Sequence, residues 1–339
     1  MQNSECFFSK TYDFINTFIT KQCGKSENTK RTYKFSLSTF YDYITNHLKL
    51  SPLTFLFSDF TYDFFMDYIK YLQTKNNKNT TINLKISALK TYVEYASNTD
   101  PSILSVYIQI SRIPLLSIEK KVREVISNED LSIIFNSTNN TYFGIRDRFI
   151  LILLFDSAIR VGEIIKIKLG DITKNKTNYS ILIKGKGKKE RRIILSDKCS
   201  LHLENYLQKC HIDINNPEAP LFFTKIKGYI SHMSERNIER IVKKYGILAN
   251  EKSANIESSV HPHMLRRSRA TSLYRQGVPI EQISLLLGHS NIETTRNYYA
   301  SPSNEQLKQT VEKGSKIIPA TEKLWIENID DIKRKFGLI

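Results

Sequence analysis

Residues 263–299 read HMLRRSRATSLYRQGVPIEQISLLLGHSNIETTRNYY, and the punctuation of this stretch decides how the second half of the chain folds. Pro279 has the place of a first-turn proline in a short helix, and Gly288 that of its C-terminal stop. Ser290 and Glu293 have capping-box spacing for the helix that follows, with Thr294 as an alternative start. Upstream, His263 and Arg266 stand at i and i+3 and so project from one helical face. His261, behind Pro262, has Met264 at i+3 and lacks that relation. Downstream, Tyr298 and Tyr299 lie on or beside a helix. Adjacent helical residues point about 100° apart, so only one of them can face a common target. Taken singly, each feature has an ordinary reading as a surface His/Arg pair or as packing tyrosines.

Two cationic segments precede this stretch. Ala158-Ile159-Arg160-Val161-Gly162-Glu163 sets a lone arginine at the end of an otherwise apolar helix, and the run from Arg146 to Ile165 is apolar enough to be a buried helix or pair of helices. A half-buried guanidinium needs an anion, because desolvating it unpaired is costly. Glu163, one turn away, is one such partner, and a phosphate is the other. The second segment is Lys184-Gly185-Lys186-Gly187-Lys188-Lys189-Glu190-Arg191-Arg192. Tyr179–Lys184 and Arg191–Leu195 alternate in polarity around it, which predicts a β-hairpin. Its glycines allow positive φ and close approach of the backbone to a ligand. Six basic residues around one turn repel one another without a counter-anion, which favours phosphate contact.

In this order, Arg160, Lys186, His263-x-x-Arg266, His289 and Tyr298, nine residues beyond that histidine, resemble the active-site signature of the tyrosine recombinases, the phage integrase and Xer family. The resemblance covers the whole second domain through GKGxKxR, HxLR and LGH with its tyrosine. It implies Tyr298 as the nucleophile that stores the bond energy of a phosphodiester as a phosphotyrosine. It implies Arg160 and Arg266 as planar forks for the non-bridging oxygens and Lys186 as general acid for the departing 5′ oxygen. His263 would serve as acid/base and His289 as a hydrogen-bond donor to the phosphate. No metal, cofactor or ATP is implied. Alignment of GKG selects Lys186 over Lys184 and Lys188, and spacing from His289 selects Tyr298 over Tyr299. The chain departs from the family at Leu265-Arg266-Arg267, where LRH is common, and at Ile193-Ile194-Leu195, where a proline often appears.

The first hundred or so residues read as helical. Phe14, Ile15, Phe18 and Ile19 recur at helical spacing, as do Tyr33, Leu37, Phe40, Tyr41 and Ile44. Phe64, Phe65, Tyr68, Ile69 and Leu72, then Ile82, Ile86, Leu89 and Val93, repeat the pattern. Breaks at Gly24–Asn28, Leu50–Pro52 and Lys75–Asn79 predict four helices, with Thr80 or Thr81 capping the fourth and most aromatics in the core. Pro101 and Pro114 bracket a looser stretch, and Ser117–Arg123 reads as an inter-domain linker. Ser127 begins a helix. The expected fold is mainly α with a small β-sheet or hairpin in the catalytic domain. Residues 1–112 form a helical core-binding domain similar to that family's, 113–125 the linker, and 126–339 an α+β catalytic domain. Past the hairpin, helices are expected to the end of the chain. In the tail from about 302, Leu307, Val311 and Ile318 share a helical face, and Trp325, Ile329, Ile332 and Phe336 another. In this family such a segment docks on a neighbouring subunit; packing on its own domain is the alternative.

Composition bounds the same reading. The chain has 339 residues with 50 Lys+Arg against 34 Asp+Glu, a formal charge of +16. Such an excess points to an anionic partner, most often nucleic acid, although AT-rich coding bias contributes Lys and Asn. The longest apolar run, Phe149 to Phe155, is far too short for a membrane span. The polar N-terminus predicts no secretory signal, so a bacterial cytoplasmic, nucleoid-associated protein is expected. Four cysteines without a CxxC pair read as buried or inert thiols. The partners implied are double-stranded DNA at recombination sites, further copies of the chain in a tetramer, and accessory proteins, with no membrane. Lys30, Arg31, Lys34, Lys85 and Lys90 of the first domain, and Lys184, Lys188, Lys189, Arg191 and Arg267 of the second, are the expected DNA contacts, mostly to phosphate. The function implied is site-specific recombination, more in the manner of a mobile-element integrase than of a chromosome-dimer resolvase. A type IB topoisomerase and a non-catalytic DNA-binding regulator are the rivals.

Overall fold

In the first of two units, Met1–Val122, two helices begin where a small hydroxyl precedes an apolar repeat. The structure, a computed structural model, describes residues 5–119, 125–185, 190–211, 216–253, 255–256, 259–289, 291–299, 308 and 329–338. In this unit α1 (Thr11–Asp13) runs into a π-helical stretch, Phe14–Gln22, and α2 (Glu27–Asp42) into another, Tyr43–His47. Then come α3 (Tyr62–Thr74), α4 (Asn79–Thr99) and α5 (Leu104–Ser111). Ser26 Oγ accepts from the Thr29 amide at 3.2 Å and Thr61 Oγ1 from that of Phe64 at 3.3 Å, each satisfying a donor the helix leaves open. The start of α4 differs from the threonine expected. Lys78 is its N-cap, and the carbonyl of Lys78 accepts from the amides of Thr81 and Ile82, so the first turn closes before any threonine can cap it.

Aromatic packing holds this unit together. The Phe7 ring lies 4.9–5.6 Å, centroid to centroid, from Phe40, Phe55, Phe57, Phe60 and Tyr92, and Phe7, Phe40, Phe60, Phe65, Tyr68 and Tyr92 are fully buried. The Tyr92 hydroxyl donates to the Phe7 carbonyl, which meets the polar requirement of a buried tyrosine.

The stretch between the prolines is ordered, contrary to expectation. Asp100 caps a 3₁₀ turn (Pro101–Ile103) by accepting from the Ser102 amide at 3.0 Å, and α5 follows with Ile103 and Ile110 buried. Pro101 starts this turn, since a first-turn residue needs no N–H. The path beyond α5 is tied to α4. Asn83 exchanges two hydrogen bonds with the Leu116 backbone, at 2.8 and 2.9 Å, and Asn79 donates to the Ser117 carbonyl at 2.8 Å. Residues 113–117 therefore belong to the first unit.

Two expected DNA contacts are corrected by this packing. Lys85 is only 5% exposed, with its ammonium over the Phe35 ring. Lys90 Nζ donates to the carbonyls of Ser111, at 3.0 Å, and Ile113. Burial lowers the pKa of both. Both charges are taken up inside the unit, Lys85 against α2 and Lys90 by the end of α5 and the segment after it. Arg31 and Lys34 are exposed on α2, and Lys30 is half-buried.

The second unit, Arg123–Ile339, repeats the capping logic. Ser127, Thr141, Ser196 and Ser234 cap α6 (Asn128–Asn136), α7 (Tyr142–Asp156), α9 (Asp197–Cys210) and α10 (Glu235–Asn250). The short α8 (Val161–Ile164) follows α7, so the apolar run is indeed a pair of helices. The hairpin pairs β2 (Tyr179–Lys184) with β3 (Glu190–Ile194), and β1 (Ile172–Lys174) adds a third antiparallel strand that was not expected. A second hairpin, β4 (Phe223–Ile226) and β5 (Tyr229–His232), interrupts the predicted helical run, turning through Lys227 and Gly228 at φ 49° and 85°. Every residue of β5 is exposed, so the two-residue polarity period of a half-buried strand never develops. α11 (Pro262–Arg275), α12 (Ile280–Leu287), α13 (Ile292–Tyr299) and α14 (Ile329–Lys335) complete the described elements. Cys199 and Cys210 are buried thiols. Among the described residues no helix is long and apolar enough to cross a membrane.

Candidate active site

The site is assembled where the end of α7, the turn after α12 and the middle of α11 meet. After α7 the chain turns sharply at Ala158, a fully buried residue at φ 49°, a conformation that costs a non-glycine residue about 1–2 kcal/mol. The turn aims the Ala158 carbonyl at Arg266, whose Nη1 donates to it. Arg266 is 3% exposed, and its Nη2 donates to the Leu287 carbonyl at 2.8 Å and reaches His289 Nε2 at 3.0 Å. Arg160 is the N-cap of α8, with its side chain 40% exposed. Its amide and Nη1 donate to the two carboxylate oxygens of Glu163 at 3.0 and 3.2 Å, and its Nη2 lies 3.5 Å from the Gly288 carbonyl.

Gly288 ends α12 at φ 63°, in the left-handed region that glycine tolerates. A Cβ there would stand 2.8 Å from the Arg191 guanidinium. Arg191, from β3, is locked in turn by two hydrogen bonds to Glu163, at 3.0 and 2.9 Å. Burial would raise the Glu163 pKa, but hydrogen bonds from Arg191 and from the Arg160 amide outweigh it, and the carboxyl stays below its usual range. Burial, then Arg266, Arg160 and Arg191, push the His289 pKa down to about 4. An arginine can only donate, so Nε2 of this neutral ring accepts from Arg266 and the proton sits on Nδ1. Nδ1 is 2.8 Å from Thr295 Oγ1.

Arg160, Arg266 and His289 are thus brought together. His263 stands at the start of α11 with its surface open to solvent, and partial desolvation by the protein around it, then Arg266, His261, Arg267 and Arg160, lower its pKa, which sets it in the same field. A cavity of about 400 Å³ beside it is lined by Val161, Glu239, Lys243, His261, Pro262 and His263. The i, i+3 relation of His263 and Arg266 holds along the helix, but one is exposed and the other buried. Two roles change. Arg191, expected to contact DNA, is taken up by Glu163 and Gly288. His289, expected to donate to a phosphate, is here an acceptor for Arg266. Lys184 forms an ion pair with Asp171 at 2.8 Å, which raises its pKa. Arg267 is half-buried. Lys186, Lys188, Lys189 and Ser290 lie outside the described residues, as do the side chains of Tyr298 and Tyr299, though both tyrosines fall within α13. In the turn after α12, the Asn291 side chain accepts from the Glu293 amide at 2.8 Å.

Sequence reasoning left open the hub role of Glu163 and missed Thr295. Glu163 was visible as the acid one turn from Arg160. Nothing in the sequence marked Thr295 as a partner of His289.

Two guanidiniums, Arg160 and Arg191, on one carboxylate and a third, Arg266, on a neutral imidazole make an anion-receptive centre, on a mainly helical unit with small antiparallel sheets. The profile of the Phage integrase family matches residues 124–305, and that of the Phage integrase SAM-like domain matches residues 10–105. The chain belongs to the phage integrase family and is a tyrosine recombinase. It is 30% identical over 298 residues to the tyrosine recombinase XerC of Staphylococcus aureus, covering 87% of this chain and 93% of that one. Its fold is similar to that of the Tn1549 transposon integrase in complex with transposon right end DNA, with TM-score 0.65 and 17% identity over 88% of this chain and 97% of that one. It is also similar to a lambda integrase tetramer bound to a Holliday junction, with TM-score 0.63 and 15% identity over 89% and 80% of the two chains.

Proposed function

We propose that this recombinase cuts and rejoins duplex DNA as a tetramer, through a 3′-phosphotyrosyl intermediate on Tyr298, to integrate or excise a mobile element. The observation that carries the reading is the convergence of Arg160, Arg266 and His289 on one turn, in the electrostatic field that also reaches His263. In the step proposed, the Tyr298 hydroxyl attacks the scissile phosphorus and the bond to the 5′ oxygen breaks. His263 takes the tyrosine proton and Lys186 gives one to the leaving oxygen. Charge that builds on the non-bridging oxygens meets Arg160 and Arg266. Reversal of the step by a 5′ hydroxyl from the partner strand rejoins the DNA without ATP. Arg31 and Lys34, exposed on α2, and Lys30 beside them would hold backbone phosphate. The DNA and tetramer in this reading are those of the transposon and lambda integrase complexes. A Xer-type role on the chromosome is the second reading, supported by the likeness to XerC.

The test is covalent trapping on nicked, end-labelled duplexes, one set carrying the ends of candidate mobile elements and one carrying palindromic chromosomal sites. Wild type and Tyr299→Phe should form a protein–DNA adduct, and Tyr298→Phe should form none. An adduct on chromosomal sites alone selects the Xer-type role. One that persists in Tyr298→Phe moves the nucleophile elsewhere, and no adduct on any cognate site ends the catalytic reading.

A further inference from the structure

Thr295 is fully buried on α13, and its hydroxyl oxygen stands 2.8 Å from His289 Nδ1. The other ring nitrogen, Nε2, is 3.0 Å from Arg266 Nη2. Because the guanidinium has no acceptor, Nε2 must offer its lone pair, and the single ring proton must lie on Nδ1 and point to Thr295 Oγ1. The ring is therefore clamped between a donor on α11 and an acceptor on α13. Charged groups facing it are Arg266 from α11, Arg160 from the start of α8 and Arg191 from β3. A histidine's tautomer is set by the hydrogen bond its far nitrogen makes, and here the far partner belongs to the helix that continues, one turn later, to Tyr298.

We propose that Thr295 is a positioning residue for this active site: its hydroxyl holds His289 in the Nδ1–H form, keeping a bare Nε2 against Arg266, and fastens the helix bearing Tyr298 to that ring. The inference deepens the recombinase reading and rests on it for the effect on cleavage; the tautomer itself does not depend on that reading. Thr295→Val keeps the shape of the side chain and removes the acceptor that faces Nδ1. Thr295→Ser keeps the acceptor.

The test uses the full-length protein with ¹⁵N-labelled histidine. At pH 7 the wild-type His289 ring, assigned by its loss in His289→Phe, should show a protonated Nδ1 and an unprotonated Nε2. Thr295→Val should shift the ring toward the Nε2–H form, and Thr295→Ser should leave it as in wild type. In single-turnover cleavage of a nicked site, Thr295→Val should slow adduct formation about tenfold with DNA affinity within about twofold, and Thr295→Ser should restore the rate. A wild-type ring protonated on Nε2 overturns the proposal, whether or not any variant folds. So does Thr295→Val with an unchanged ring and a wild-type rate. If wild type cleaves no DNA but shows the Nδ1–H ring that Thr295→Val loses, the recombinase reading fails while the tautomer assignment stands.

Discussion

Gly288 shows how one residue can serve two constraints. Its φ of 63° is unfavourable for an L side chain, and a Cβ would meet the Arg191 guanidinium at 2.8 Å. That guanidinium cannot swing away cheaply, because Glu163 holds both of its terminal nitrogens and breaking a buried pair is costly. Gly288→Ala should therefore lower stability by about 2 kcal/mol, and it should slow cleavage by displacing the carbonyl beside Arg160. Urea unfolding and single-turnover cleavage measure the two effects, and an unchanged unfolding midpoint would mean the clamp yields freely. At this scale the sequence was informative wherever function lies in a short motif. Arg160, Arg266 and His289 were legible from their types and spacing, and the structure draws them together. Arg191 was legible as a basic residue of the hairpin but not as the partner of Glu163, and Thr295 was not legible as a site member. Their roles depend on β3 and α13 lying against the turn after α12, a relation between elements that no local pattern encodes.

Helices with strong apolar periodicity, such as α2, α3 and α4, were legible in advance, and so was the β2–β3 hairpin. The elements that escaped are short or mostly exposed, so that too few buried positions recur to set a period. Among them, α5 is short and flanked by prolines, and it is ordered by contacts to α4: Asn83 to Leu116, Asn79 to Ser117, and Lys90 to the carbonyls of Ser111 and Ile113. This assigns different work to lysines and arginines that look alike in sequence. Lys90→Met keeps the aliphatic stem and removes the ammonium that satisfies two carbonyls. It should cost the first unit about 1–2 kcal/mol and leave DNA affinity per folded molecule unchanged. Arg31→Ala and Lys34→Ala should do the reverse, weakening binding and flattening its salt dependence with little change in stability. Thermal unfolding paired with binding at two salt concentrations separates the two classes. A drop in affinity for Lys90→Met without a drop in melting temperature would return it to the DNA-contact group.

Across the whole molecule, the formal charge of +16 and the ionisation of its histidines act together. Desolvation by the surrounding protein lowers the pKa of His202, His211, His263 and His289, in three cases with arginines adding to it. For His289 the folded value is about 4, against 6.5 for the unperturbed ring. Between those values the unfolded chain binds a proton that the folded one refuses, so stability rises with pH across the window and is lost as pH falls through it. Glu163, whose pKa is lowered, acts in the same direction at still lower pH. Each proton taken up also adds to a charge that already repels itself. The protein should therefore lose stability steadily from pH 7 toward pH 5 at constant ionic strength, with net proton uptake on unfolding. His289→Phe should flatten that slope, because it removes a group whose ionisation the fold pushes down to about 4. Bound DNA should oppose the loss, since phosphate beside Arg160 and Arg266 offsets the cations that keep His289 and His263 neutral. The stabilisation conferred by DNA should accordingly grow as the pH is lowered from 7 to 5.5. Urea midpoints with and without a cognate duplex across that range provide the measurement. A midpoint independent of pH in the free protein would show that these rings titrate alike folded and unfolded, and a DNA increment that shrinks on acidification would separate the anion site from the histidines.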